Sequence, residues 1–307
     1  MIKIVTLLPS ATEIACALSL KNRLVAVSHE CDYPPSVTAL PPITSSILPH
    51  DLNPKQIDEA VITAVHQGQA LYQVNGDLLA QLQPDLIITQ GVCDVCAVNQ
   101  GTVEQTIRFL DDVVTNSMQI LTLSGQNFAG MLRDIRLVGE ATGRGAEATM
   151  LIGNLRQRWT AVQANQPAHK PRVAMIEWPD PFFYGGHWVP EMVEAAGGID
   201  VLGAAGMPSG RCTADEIVAQ DPEIIISIAC GYDLAKNVEF AQQIMENPAF
   251  EEVTAVRTGN VWAADANGYF SRPAPRLVGG AEMLQAIFTN DSENYADIRR
   301  VKTCLPE

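Results

Sequence analysis

Two kinds of side chain in this sequence could do chemistry. The first is sulfur and imidazole. Cys93-Asp-Val-Cys96 is a C-x-x-C pair, and His29 and Cys31 stand together in the segment SHECDYPP. Thiolate sulfur and imidazole nitrogen are preferred ligands of zinc, and closely spaced cysteines also support redox chemistry. A closed zinc site wants four ligands and there is no second C-x-x-C, so His29 and Cys31 would have to complete it. The alternative is two thiols at the start of a loop or helix, without metal. His50 and His187 are further imidazoles that a metal centre could meet, whereas His66 and His169 read as surface residues. The second kind is aromatic. Only 6% of residues are Phe, Trp or Tyr, yet Phe182, Phe183, Tyr184 and Trp188 crowd one Gly-rich stretch, and Tyr269 and Phe270 lie in another. Aromatic faces hold flat or apolar ligands at low entropic cost.

Such residues need a scaffold that brings them together. The chain opens with the apolar, β-branched run IKIVTLL, then Pro9, Ser10 and Glu13; Ser10 and Glu13 have capping-box spacing, so strand, turn and helix are expected. Leu24 to Ser28 reads as a second strand, ended by Pro34-Pro35. Pro54 starts a helix, a short helix covers Asp77 to Leu82, and Pro84-Asp-Leu-Ile-Ile-Thr89 reads as a buried strand. A helix over Thr102 to Asp111 and a strand over Gln119 to Leu123 close this half. From about Asn127 to Asn165 the pattern is almost wholly helical, with a break at Gly143 or Gly145. Beyond them the logic repeats, with strands at Arg172 to Glu177, Pro222 to Ser227 and near Val261, and helices at Val189 to Ala196, after Thr213, and from Pro275. Pro222-Glu-Ile-Ile-Ile-Ser227 echoes Pro84-Asp-Leu-Ile-Ile-Thr89, which points to two related lobes.

Strands alternating with helices give mainly parallel sheets, and such sheets bind ligands beyond the carboxyl ends of their strands. Those ends collect Pro9 and Ser10; His29, Glu30, Cys31, Asp32 and Tyr33; Gln90 to Cys96; Trp178 to Trp188; Ala229 to Tyr232; and Asp265 to Arg272. The expected organisation is an α/β lobe over 1–125, a connecting helix over 126–168 and a second α/β lobe over 169–307, with a ligand cleft between the lobes.

Composition narrows the function classes. The 307 residues carry a formal charge of −15, which disfavours nucleic-acid binding and suits solubility or docking on a basic partner. Seven cysteines, an odd number in a long chain, do not make a disulfide scaffold; Cys16 and Cys230, in apolar runs, read as core residues. No basic region, apolar stretch and small-residue cleavage site opens the chain, and the first apolar run is too short to span a membrane. A protein without membrane insertion is expected, cytoplasmic as it stands or extracytoplasmic if a leader was removed. There is no G-x-S-x-G, no G-x-x-x-x-G-K-[ST] and no G-x-G-x-x-G after a strand, so hydrolase, ATPase and dinucleotide chemistry find no motif.

The segments IVTLLPSATEIACAL, AVSHECDYPP, LLAQLQPDLIIT, DPFFYGGHWVPEMVEAAGG, TADEIVAQDPEIIIS and NGYFSRPAPRLV resemble the helical-backbone (class III) periplasmic binding proteins of cobalamin, haem and iron–siderophore ABC importers. The resemblance runs over nearly the whole chain and is closest to the cobalamin-binding subgroup. It implies two α/β lobes joined by one long helix, a binding protein rather than an enzyme, and a small-molecule metal chelate, a corrinoid first, as ligand. It implies ligand contacts at Pro9, Ser10, the His29–Tyr33 loop, Gln90, Gly91, Phe183, Tyr184 and Tyr269, to which the aromatic stretch adds His187 and Trp188. It places permease-docking acids at Glu104 and at Asp215 with Glu216. Two alternatives stay open: a ferric-siderophore or haem binder, and a cytoplasmic metal-handling or chelatase-like protein using His29, Cys31, Cys93 and Cys96.

Overall fold

A computed structural model describes residues 2–49, 51–91 and 118–301. The chain divides into two compact units, Met1–Gly125 with Ala129–Gly153, and Gln126–Phe128 with Asn154–Glu307.

The first unit is built on a four-stranded parallel sheet of β1 (Ile4–Thr6), β2 (Leu24–Val27), β5 (Leu86–Gln90) and β6 (Gln119–Leu123), in the order β2-β1-β5-β6. Two short strands, β3 (Thr44–Ser46) and β4 (Tyr72–Val74), pair antiparallel beside it. β1 and β5 are buried along their full length, as expected for strands covered on both faces. Val5, Leu7, Ala26, Ile43, Leu79 and Ile87 form one cluster of this core. The helix Pro54–His66 opens with a complete capping box, Asn53 and Gln56 each accepting the other's backbone N–H.

The second unit carries a seven-stranded mixed sheet. β7 (Arg172–Pro179), β11 (Ile224–Ser227) and β12 (Val261–Ala264) run parallel at its centre. β8 (Phe182–Tyr184), β10 (Gly210–Arg211) and β13 (Ile298–Arg300) add antiparallel neighbours, giving the order β10-β8-β7-β11-β12-β13, while β9 (Ile199–Asp200) pairs with the start of β7. The core around Ala174, Ile225, Phe250 and Val261 lies against this sheet.

The expected helical run is two helices, Phe128–Thr142 and Gly145–Ala164, separated at Gly143, whose φ of +69° no helix interior accepts. The second helix passes from one unit into the other at Gly153/Asn154, so the helical segment is divided between the units. No helix among the described residues is long and apolar enough to cross a membrane. Cys16 and Cys230 are half-buried rather than core residues, Cys16 in the last turn of its helix and Cys230 in the turn beyond β11; among the described residues Cys31 is the buried cysteine.

Candidate functional site

In the first unit the chain leaves β1 straight into a helix. Leu8, with extended backbone, is its N-cap and Pro9 its first residue, so Ser10 lies inside the helix and makes no cap. The capping box expected from Ser10 and Glu13 is therefore not formed; both side chains are buried. Pro9 is the part-exposed residue at this strand end.

Beyond β2 the backbone turns through Ser28 to Cys31, whose N–H donates to the Ser28 carbonyl at 3.0 Å. His29 is half-buried. Its backbone N–H donates to Thr44 Oγ1 at 3.1 Å, and its Nδ1 lies 2.7 Å from the same oxygen. The Thr44 hydroxyl donates its single proton to Ser28 Oγ at 3.2 Å. Thr44 is thus an acceptor toward the ring, so Nδ1 carries the imidazole proton and Nε2 is the basic nitrogen. The ring is tilted against Tyr72 at 5.8 Å, and Nε2 is 3.8 Å from Glu30 Oε1. Cys31 turns inward: it is buried, with Sγ 3.0 Å from Thr12 Oγ1, which lies 2.6 Å from Thr6 Oγ1. Its thiol belongs to a buried hydroxyl chain rather than to the loop surface. Glu30, Asp32 and Tyr33 are exposed. At the end of β5, Gln90 is buried and Gly91 exposed, its N–H donating to the Leu123 carbonyl at 2.8 Å. Cys93, Cys96, Glu104 and His50 lie outside the described residues. Among the described residues no three His, Cys, Asp or Glu side chains gather closely enough to hold a metal ion.

In the second unit the stretch read as an aromatic loop contains a strand. Phe182, Phe183 and Tyr184 form β8, because pairing with β7 on one side and β10 on the other outweighs the flanking Pro and Gly. Phe183 is half-buried under the Arg211 guanidinium at 5.2 Å. His187 holds a left-handed φ of +52°, fixed by its N–H to the Met207 carbonyl (2.5 Å) and its carbonyl to the Gly206 N–H (2.8 Å). Its Nδ1 is buried without a hydrogen-bond partner, and burial holds the imidazole below its usual pKa, favouring the neutral ring. Trp188, expected at the ligand, is a core residue. It is 7% exposed and its indole N–H donates to the Phe270 carbonyl at 2.6 Å, so both its surface and its polar handle are used internally. Tyr269 donates its hydroxyl to Asp297 Oδ2 at 2.9 Å, and Arg276 lies 5.7 Å from its ring. Burial, then the bond to the Asp297 carboxylate, push its pKa up to about 12, so it stays a phenol at neutral pH.

Of the acids expected to dock a partner, Glu216 is committed elsewhere. Its Oε2 accepts the Thr213 N–H at 2.7 Å while its own N–H donates to Thr213 Oγ1 at 3.2 Å, a complete capping box. Asp215, in the same first turn, is exposed.

Two polar residues at these strand ends carry no sequence signal. Glu177 sits where the β7–β8 register shifts between Ile176 and Trp178, and Ser209 Oγ donates to its Oε2 at 2.5 Å. Such a shift depends on the partner strand, so no local pattern marks it.

Residues 4–267 match the family model described as periplasmic binding protein. The vitamin B12-binding protein of Vibrio cholerae serotype O1 (strain ATCC 39541) is 22% identical over 298 residues, covering 92% of this chain and 87% of its own. YvrC, an ABC transporter substrate-binding lipoprotein of Bacillus subtilis (strain 168), is 24% identical over 289 residues, covering 92% and 78%. The crystal structure of a periplasmic heme binding protein from Pseudomonas aeruginosa superposes with a TM-score of 0.71 over 98% of both chains at 17% identity, a likeness of fold. These similar proteins are binding proteins, not enzymes.

Proposed function

Because the chain belongs to the periplasmic binding protein family, we propose that it binds cobalamin or a related corrinoid and passes it to an ABC permease. The observation that carries this reading is the similarity to vitamin B12-binding proteins along 92% of the chain. The aromatic strand ends of the second unit support it, since a corrinoid offers a broad apolar face. The proposed contacts are Pro9, His29, Glu30, Asp32, Tyr33 and Gly91 in the first unit, and Phe183, Tyr184, His187 and Tyr269 in the second. Ser10, Cys31, Gln90 and Trp188, being buried, support those contacts from beneath. Asp215 and Glu104 are the proposed permease-facing acids. The names of the relatives, periplasmic and lipoprotein, support a place outside the cytoplasm.

A calorimetric titration with cyanocobalamin tests the reading. One site with sub-micromolar Kd, about −8 kcal/mol or better, is the expected result; no binding overturns it. Haem binding is the second reading, since a heme binding protein shares this fold. In that case the iron ligand offered by this chain is His29 Nε2 rather than Tyr269, whose phenol keeps its proton. Haemin titrated in parallel, with tighter binding than cyanocobalamin, would decide for it.

A further inference from the structure

His187 combines two unfavourable features. Its backbone is left-handed, with φ +52°, and its imidazole Nδ1 is buried with no hydrogen-bond partner. A residue with a side chain holds such a backbone only where its surroundings impose it, and residues of this kind gather at ligand clamps. Here the surroundings are explicit. The His187 N–H donates to the Met207 carbonyl at 2.5 Å, and its carbonyl accepts the Gly206 N–H at 2.8 Å. One residue earlier the Gly186 N–H donates to Ser209 Oγ at 3.2 Å, and a Cβ on residue 186 would collide with the Ser209 nitrogen. The His187 ring stacks on that of Trp188 at 5.6 Å and 29°, and the Trp188 indole is itself tied to the Phe270 carbonyl. Backbone and ring are therefore both fixed.

A neutral imidazole has one N–H and one lone pair. His187 is half-buried, and of its two ring nitrogens only Nδ1 is buried without a partner. A proton on Nδ1 would be a buried donor with no acceptor. A lone pair there is the smaller loss, as among backbone groups, where an orphaned N–H is rarer than an under-satisfied carbonyl. The proton thus sits on Nε2, at the open edge of the ring. Burial disfavours a second proton, which would have to go to Nδ1. Coordination of a metal through Nε2 meets the same obstacle, because it moves the ring proton to Nδ1. Ligating histidines almost always donate that other N–H to a carboxylate, a carbonyl or water. His29 is the opposite case, with Thr44 as acceptor for its Nδ1 proton.

We infer that His187 is a fixed Nε2–H donor to an acceptor oxygen on the rim of the bound chelate, and not a ligand of its metal. The chemistry recognised is a carboxamide carbonyl, a phosphate or a carboxylate. A donor already held in place loses little freedom when the ligand arrives. This assignment rests on the reading of the chain as a chelate-binding protein, and adds which atom of His187 meets which chemistry.

Nitrogen–proton NMR of the ligand-free protein, with His187→Asn to identify the signal, is expected to show the His187 proton on Nε2. A proton on Nδ1 overturns the inference whether or not a ligand is found. Cyanocobalamin, dicyanocobinamide and haemin are then titrated into the wild type, His187→Asn and His187→Gln, with thermal melts to confirm folding. Asparagine suits a left-handed backbone, but its amide reaches only the buried edge; glutamine brings an amide N–H to the place of Nε2. His187→Asn weakens binding by about 5-fold for a carboxamide acceptor and by about 30-fold for an anionic one, and His187→Gln restores most of the loss. A loss with cyanocobalamin but not with cobinamide, which lacks the phosphate, identifies the phosphate; an equal loss identifies a carboxamide; a loss with haemin identifies a carboxylate. The absorption spectrum of the bound chelate stays the same in both variants. A shift of its metal-sensitive bands in His187→Asn would make the ring a metal ligand and overturn the inference. A folded His187→Asn protein that binds within twofold of the wild type overturns the inference alone. If the wild type binds none of the three chelates, the proposed function falls and this inference with it.

Discussion

Thr44 grips His29 by ring and backbone together, one hydroxyl oxygen standing 2.7 Å from Nδ1 and 3.1 Å from the amide nitrogen. Replacing Thr44 with Val keeps the shape and removes the oxygen. Three groups then lose a partner: the His29 amide, its Nδ1–H, and Ser28 Oγ. A loss on the order of 2 kcal/mol in urea denaturation is expected. Long-range nitrogen–proton NMR correlation reads the other half of the argument. The wild type shows the proton on Nδ1, and Thr44→Val shows a mixture of tautomers. A wild-type ring protonated on Nε2 would refute it.

Asp200 sets the second expectation, through pH. Its Oδ1 accepts the N–H groups of Leu202 (3.0 Å) and Gly203 (2.9 Å), while Oδ2 is buried with no hydrogen-bond partner. Burial, with the charge of Glu194 adding to it, raises its pKa to about 6. The folded state therefore holds the proton more tightly than the unfolded chain. The associated stability is complete below about pH 4, declines as pH rises, and is lost above about pH 6. Asp200→Asn keeps the Oδ1 acceptor and abolishes the ionisation. At pH 7.5 it should be more stable than the wild type by on the order of 2 kcal/mol, with no gain at pH 4. Equal gains at both pH values would point to another cause.

Asn237 is fully buried and fully satisfied. Its Oδ1 accepts from Ser227 Oγ (2.9 Å) and the Ala229 N–H (2.6 Å), and its Nδ2 donates to the carbonyls of Tyr232 and Asp233. It ties the end of β11 to the turn that positions Tyr232. Asn237→Ala strands these groups and should cost on the order of 3 kcal/mol. Asn237→Asp should fare no better, since it turns an oxygen toward two carbonyls. The check is a denaturant series; Asp matching Asn would remove the argument from hydrogen-bond polarity.

The strands and most helices are written in the chain because their signals are local. Pro84-Asp-Leu-Ile-Ile-Thr89 and Pro222-Glu-Ile-Ile-Ile-Ser227 became the buried β5 and β11, and Thr213 with Glu216 opens a helix as such a spacing should. Ser10 and Glu13 carry the same spacing and fail. The difference was visible beforehand: Pro9 is suited to the first helical turn, which moves the N-cap back to Leu8. What could not be read locally depends on partners far along the chain. β8 is a strand only because β7 and β10 flank it; Trp188 is core because Phe270 offers a carbonyl 82 residues away. The clamp of Ser209 on Glu177, 32 residues apart, has no sequence period at all.

The capping box at Thr213 separates a structural acid from a surface one, and this gives a last test. Glu216 receives the Thr213 N–H, so its carboxylate is part of the helix start; Asp215 beside it points no acceptor into the cap. Thr213→Ala removes the hydroxyl that accepts the Glu216 N–H and should cost about 1 kcal/mol. Glu216→Gln retains an acceptor oxygen and should cost less. Asp215→Lys leaves both cap bonds intact and places a cation near the helix N-terminus, a loss of about 0.5 kcal/mol. If Asp215 faces a basic permease surface, the same substitution should abolish ligand-stimulated ATPase activity in the reconstituted transporter while ligand affinity stays at the wild-type value. An Asp215→Lys protein that stimulates normally would take the docking role away from this turn, whereas one that lost ligand affinity would show the effect to be structural.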